Sequence, residues 1–181
     1  MNLYRVKDNY MTYLNSFDSM VPFNKNQKRV YVGVALHINN SDFFIPLTSP
    51  KDKHKTMKST SDFILLNKGI FGALNINNMV PVKKNELVKI DIAAEPNPAY
   101  SNLLMNQYTE LISIKDKISN HATKTYNIHL KPDSDCTPNE LKIKSRCCNF
   151  SLLEHACENY NIKTSEKNLD LSSINYPENE R

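Results

Sequence analysis

Apolar positions along the 181-residue chain change their period twice, and each change predicts a change of secondary structure. From Asp8 to Phe17, Tyr10, Tyr13, Leu14 and Phe17 recur at three- and four-residue spacing, which is one face of a short amphipathic helix ended by Val21-Pro22. In Val30–Ile38 every even position is aliphatic, so the period becomes two and a strand is predicted. Asn39-Asn40-Ser41 supplies turn residues, and the apolar run from Asp42 to Leu47 completes an antiparallel hairpin, with Pro46 marking an edge or a strand end. Further strands are expected at Phe63 to Leu66, Ala73 to Ile76 and Leu87 to Ile92. The helical period returns after Asn97-Pro98, an N-cap followed by a proline suited to the first turn. Leu104, Tyr108, Leu111, Ile112 and Ile118 form its stripe, with a break expected near Ser119-Asn120 before the helix resumes toward Tyr126. A loop carrying Pro132 and Pro138 leads to a final helix from Phe150 to Tyr160. A helix, a small antiparallel sheet and then helices make an α+β chain.

The length suits one domain, taken as residues 1–160, followed by a polar extension over residues 161–181 packed on or near it. Only three glycines are present, Gly33, Gly69 and Gly72, and neither a dinucleotide fingerprint nor a Walker loop can be assembled from them. No apolar run approaches a membrane span and the N-terminus lacks the apolar core of a signal peptide, so a cytoplasmic protein without a membrane partner is expected. Cys136, Cys147, Cys148 and Cys157 form no CxxC pair and read as reduced, largely buried thiols. His37, His121, His129 and His155 stand apart from cysteine or carboxylate partners at ligand spacing, and Asp133-Ser134-Asp135 lacks the rest of a calcium loop. No metal and no cofactor are expected.

Charge changes the picture more than composition does. The formal net charge is +4, yet residues 1–60 carry nine Lys/Arg against four Asp/Glu while the rest of the chain is nearly balanced. Such a concentrated basic region is the footprint of a protein that meets polyanions. Its densest part follows the hairpin: Thr48-Ser49-Pro50-Lys51, then Lys53, His54, Lys55 and Lys58. A residue before proline is driven toward extended backbone, so continued extension would set Lys51, Lys53 and Lys55 on one side and His54 on the other. Lys25, Lys28 and Arg29 enter the first hairpin strand from the same end, since the start of one strand lies opposite the end of the next. Two hydroxyls and converging ammonium groups make a phosphate-sized site at a sheet end.

Four separated blocks, in this order, carry a resemblance. Tyr31-Val32-Gly33-Val34, the run from Pro46 to Lys55, Gly72-Ala73-Leu74-Asn75-Ile76-Asn77-Asn78-Met79-Val80-Pro81-Val82, and Cys148-Asn149-Phe150-Ser151-Leu152-Leu153-Glu154 resemble the ToxN/AbiQ toxins, the protein halves of type III toxin-antitoxin systems. The resemblance covers about Tyr4 to Tyr160. It implies a compact, strongly bent antiparallel sheet flanked by helices, similar to MazF and Kid toxins, and a metal-independent, sequence-selective endoribonuclease. It also implies inhibition by a pseudoknot antitoxin RNA that the toxin cuts from a repeat precursor, a closed ring-like protein–RNA assembly, cellular and phage RNA as substrates, and phage defence by abortive infection. Carried over by position, the implied catalytic residues are Thr48, Ser49, Lys51 and Lys28. Lys25, Arg29, Tyr31, Lys53, His54, Lys55 and Lys58 are assigned to RNA binding. A tyrosine that some members place before the lysine falls here near Phe23 or Asn24, a departure that leaves either Tyr31 as the substitute or the role absent.

Metal-free RNA cleavage uses the 2′-hydroxyl of the substrate as nucleophile and leaves a 2′,3′-cyclic phosphate and a 5′-hydroxyl. It needs a proton acceptor, a proton donor and cations aimed at the charge growing on the phosphorane. Lysines and hydroxyls suit the last task best. A non-catalytic RNA-binding module would use the same groups only to hold phosphates.

Overall fold

The computed structural model describes residues 1–160; the extension expected over 161–181 lies outside the described residues. Seven strands form one antiparallel sheet: β1 Asn2–Val6, β2 Val30–Ile38, β3 Ser41–Thr48, β4 Phe63–Leu65, β5 Ala73–Asn75, β6 Val80–Pro81 and β7 Leu87–Lys89. Their order is β4-β5-β3-β2-β1-β7, with β6 beside β3. Five helices accompany them: α1 Asp8–Phe17, α2 Pro98–Ser113, α3 Lys115–Leu130, α4 Pro138–Lys144 and α5 Phe150–Asn159. The α+β class and the β2–β3 hairpin agree with expectation.

The chain opens on a strand rather than on α1. Two long-range ladders hold β1 in place, Tyr4 lying opposite Tyr31 of β2 and opposite Lys89 of β7. Pro46 sits in a central strand, not at an edge. β3 tolerates it because β6 pairs at Phe43 and Phe44 and β5 at Leu47 and Thr48, so both outer ladders skip the proline. The even-aliphatic face of β2 is interrupted at Val34 and resumes at Leu36 and Ile38, which pack against the core. The register shifts between Val32 and Leu36, which turns Val34 outward, at 42% exposure, and buries Ala35. Gly33, opposite Asn2 of β1, is required by packing: a Cβ there would overlap the ring of Phe44.

α1 buries Tyr10, Met11 and Leu14. Leu14 is fully enclosed, and a side chain of that size contributes roughly 1.5–3 kcal/mol on burial. The Tyr10 hydroxyl donates to the Pro81 carbonyl at 2.8 Å and so ties α1 to β6. Among the aromatics of the core, Phe43 meets Tyr126 of α3 and Phe150 of α5, and the latter two rings stack at 5.9 Å. The Tyr126 hydroxyl donates to Glu154 Oε2 at 2.7 Å, so its buried oxygen keeps a partner.

The long helical stripe breaks at Ile114, five residues before Ser119, where φ −110° and ψ 18° leave the helical region. A further helix, α4, begins inside the expected proline loop. Thr137 caps it by accepting from the Glu140 amide while the Glu140 carboxylate accepts from the Thr137 amide. The free thiols of Cys147, Cys148 and Cys157 are buried and that of Cys136 is half-buried. Asp133–Asp135 forms a single 3-10 turn, consistent with its reading as a turn. Among the described residues, no helix is long and apolar enough to cross a membrane.

Candidate active site

The hairpin brings its open end together as its register requires. Val30 lies opposite Leu47, so the residues just before β2 face those at the end of β3. Around that end lies a cavity of about 250 Å³ whose walls include Lys25, Lys28, Arg29, Thr48, Ser49 and Lys51. All four residues assigned to catalysis, and two of those assigned to RNA binding, therefore share one cavity. The described residues lining it include four cations and no Asp or Glu. Lys28, Ser49 and Lys51 are exposed and Thr48 is half-buried, so the groups remain open to a ligand.

Local structure explains each position. Lys25, Asn26 and Gln27 take φ values of 57°, 53° and 58°, three successive left-handed residues without a glycine. Conformations of this kind cost roughly 1–2 kcal/mol per residue and need outside support. Support comes from Asp8 at the start of α1, whose Oδ1 accepts from the Gln27 amide at 3.0 Å and from Asn24 Nδ2 at 2.6 Å. The Arg29 Nε donates to the Phe23 carbonyl at 2.8 Å, closing the base of the loop. On the opposite wall, Gly72 takes φ +94° directly behind Thr48; a Cβ there would strike the Thr48 carbonyl oxygen.

The cavity also contains residues with no motif in the sequence. Asn75, at the end of β5, donates from Nδ2 to Thr48 Oγ1 at 3.2 Å. That bond occupies a lone pair of the threonine oxygen and leaves its O–H free to donate into the cavity. Tyr100 and Gln107 reach it from α2, and Gln107 is itself anchored by a 2.6 Å bond from Nε2 to the Phe71 carbonyl. The signals for them are indirect: Asn75 ends a strand that pairs beside Thr48, and Tyr100 and Gln107 stand two helical turns apart.

Several assigned residues lie elsewhere. Tyr31 is fully buried with its hydroxyl 3.7 Å from Met11 Sδ, and burial pushes its pKa upward; it offers RNA no ring face and does not replace the missing tyrosine. After Lys51 the extended backbone gives way to a 3-10 turn over Asp52–Lys55, which ends the expected alternation. His54 is 99% enclosed in that turn against Phe63, and burial, aided by Lys53 and Lys51, lowers its pKa, so it stays neutral rather than meeting phosphate. Lys53, Lys55 and Lys58 are exposed and outside the cavity wall, with Lys55 paired to Asp52 at 2.9 Å.

A cationic, hydroxyl-bearing cavity at the end of an antiparallel hairpin, with no Asp or Glu among the described residues lining it, has the chemistry that suits a phosphate group. Residues 2–158 match the family model of the toxin ToxN of type III toxin-antitoxin systems, and the chain belongs to that family. It is 35% identical over 172 residues to the endoribonuclease ToxN of Bacillus thuringiensis subsp. kurstaki, covering 91% of this chain and 87% of that protein. A solved type III toxin, studied for its selective inhibition by a non-coding RNA pseudoknot, superposes with a TM-score of 0.76 at 34% identity, over 88% of this chain and 96% of that one. AbiQ, a lactococcal anti-phage endoribonuclease of a type III system, superposes with a TM-score of 0.71 at 28% identity, over 87% and 95%.

Proposed function

We propose that this chain is the toxin of a type III toxin-antitoxin system and an endoribonuclease whose cutting site is the cavity at the β2–β3 hairpin end. The observation that carries the site is the convergence of Lys28, Thr48, Ser49 and Lys51 on one carboxylate-free cavity, with Asn75 fixing the threonine hydroxyl. In this reading the substrate's 2′-oxygen attacks the adjacent phosphorus as its proton passes to a base. The bond to the 5′-oxygen breaks, that oxygen takes a proton, and a 2′,3′-cyclic phosphate and a 5′-hydroxyl remain. Ser49 and Thr48 donate to the non-bridging oxygens and hold the scissile phosphate in line. Lys51 meets the charge that grows on the phosphorane, and Lys28 serves as acid or second cation. Donors aimed at developing charge are usually the largest single contribution to such a step. DNA, lacking the 2′-hydroxyl, is spared.

Metal independence belongs to the same proposal, supported by the four protein cations that line the cavity. So do a pseudoknot antitoxin RNA processed by the toxin from a repeat precursor, a closed ring-like assembly, a strongly bent MazF- or Kid-like sheet, phage defence in the cytoplasm, and cellular and phage RNA as targets. Residues 1–160 are taken as one nuclease domain.

The test is cleavage of single-stranded RNA in excess EDTA by the wild type, Ser49→Ala and Lys51→Ala. Wild type is expected to yield cyclic-phosphate ends at full rate, and each variant to lose at least about a hundredfold, the scale of a lost transition-state donor. Unimpaired cleavage by both variants overturns the site. A protected but intact RNA would mark a non-catalytic binding module.

A further inference from the structure

Next to the cationic cavity, sharing Pro22 and Lys25 with it, lies a second cavity of about 260 Å³ with a different chemistry. Asp8, Met11, Thr12 and Asn15 of α1 line it together with Pro22 and Phe23, so apolar surface from Met11, Pro22 and Phe23 is combined with polar groups of Asp8, Thr12 and Asn15. Phe23 is 80% exposed, the most exposed of the large hydrophobic side chains described, although its backbone is pinned by Arg29. We infer that this cavity binds an unpaired nucleobase of the RNA strand, stacked on Phe23, from a nucleotide flanking the phosphate held next door. The inference rests on the reading of the neighbouring cavity as the scissile-phosphate site.

The division of charge favours a base over a second phosphate. A carboxylate at Asp8 repels phosphate but accepts from the exocyclic amine or ring N–H of a base. Its Oδ1 is occupied by Asn24 and Gln27, while its Oδ2 makes no hydrogen bond among the described residues. Asn15 spends its amide on the Val21 carbonyl at 3.0 Å, leaving its oxygen as a second acceptor. An aromatic face beside a cationic track is how single-stranded nucleic acid is gripped, the base stacking while lysines follow the backbone. These two acceptors add a preference for a base bearing an exocyclic amine. Lys25, standing in both walls, bridges the phosphate and base compartments.

The experiment measures binding of the full chain to short oligoribonucleotides made uncleavable by a single 2′-deoxy substitution at the cut site. Phe23→Ala is expected to weaken binding roughly tenfold or more and Phe23→Trp to restore it, since loss of one stacked base falls in that range. Replacing one nucleotide flanking the scissile phosphate by an abasic ribose should weaken wild-type binding equally and add nothing to Phe23→Ala. At that position cytosine should bind more tightly than uracil, because the cytosine amine offers two N–H donors to the two acceptors while uracil has a carbonyl there and only its single ring N3–H to donate. Unchanged binding by Phe23→Ala, at an unchanged unfolding temperature, overturns the subsite, as does full additivity of the two losses; equal binding of cytosine and uracil overturns the amine preference. If the protein binds in this pattern but never cuts RNA, the nuclease reading fails while the subsite stands.

Discussion

Gly72→Ala tests whether the end of β3, which carries the proposed catalytic residues Thr48 and Ser49, is held to sub-ångström tolerance by packing from behind. At φ +94°, alanine incurs about 1–2 kcal/mol of backbone strain, enough to lower the unfolding temperature by several degrees in a domain of this size. The larger effect is geometric. The added methyl would coincide with the Thr48 carbonyl oxygen and stand 3.1 Å from the carbonyl carbons of both Thr48 and Ser49. These are backbone atoms in a ladder, where Thr48 pairs with Ala73, so relief requires the strand end to move by about 1 Å, and a shift of that size can cost on the order of a hundredfold in rate. Single-turnover cleavage of an oligoribonucleotide, alongside thermal unfolding, separates the two effects. A folded variant with about a hundredfold slower cleavage and RNA affinity within a few-fold of wild type is expected. Cleavage within threefold of the wild-type rate would refute the claim that Gly72 sets the position of Thr48 and Ser49.

Arg146→Ala should destabilise the protein by about 3 kcal/mol, near the lower bound for breaking a buried pair because the arginine itself is half-exposed. It removes bonds at 2.6 and 2.9 Å from Asp62, which is 1% exposed and among the described residues keeps only Thr60 as a side-chain partner. Burial alone would raise the Asp62 pKa, but Arg146 and Thr60 outweigh it and hold the carboxyl below its usual range. The pair's stability is therefore complete above the ordinary carboxylate pKa of about 4 and lost as pH falls through the lower folded value, so the gap between variant and wild type in chemical denaturation should be widest near neutrality and narrow in acid. A gap independent of pH would refute this. Burial pushes Cys147 and Cys148 up to about 12, so at pH 8 the native protein should take up no more than one equivalent of iodoacetamide, at half-buried Cys136, against four after denaturation. Rapid labelling of all four thiols in the native state would contradict the described packing.

The elements legible in the sequence are those whose pattern is local. α1 carries a clean apolar face, and the hairpin is written as two apolar runs around Asn39-Asn40, so the meeting of Lys28 with Thr48 and Ser49 follows from antiparallel pairing alone. Thr137 and Glu140, three residues apart with Pro138 between them, are an equally local signal, and they mark α4 inside a stretch that its prolines otherwise present as loop. What escaped depends on distant partners. In β1 the buried residues are Leu3 and Val6, three apart, a spacing that does not announce a strand; its identity comes from β2 and β7. Ile114 interrupts the α2–α3 stripe without a glycine or proline to signal it. Asn75, Tyr100 and Gln107 become site residues only once β5 and α2 have packed, and the enclosure of Tyr31 and His54 depends equally on what covers them.

The threading of β1 bears on how the protein is made. This strand holds residues 2–6, yet one of its two neighbours, β7, begins at residue 87, and the site beside the hairpin draws its walls from Pro22 through Gln107. A chain released from the ribosome N-terminus first must carry an inner strand with one bare edge until most of the sheet has emerged, and contacts so distant in sequence form late. The cationic cavity, proposed as the cutting site, is then unfinished for more than half of the chain's synthesis. A cell translating this protein meets a potential toxin only in the second part of each round, which narrows the interval in which an inhibitor must be waiting.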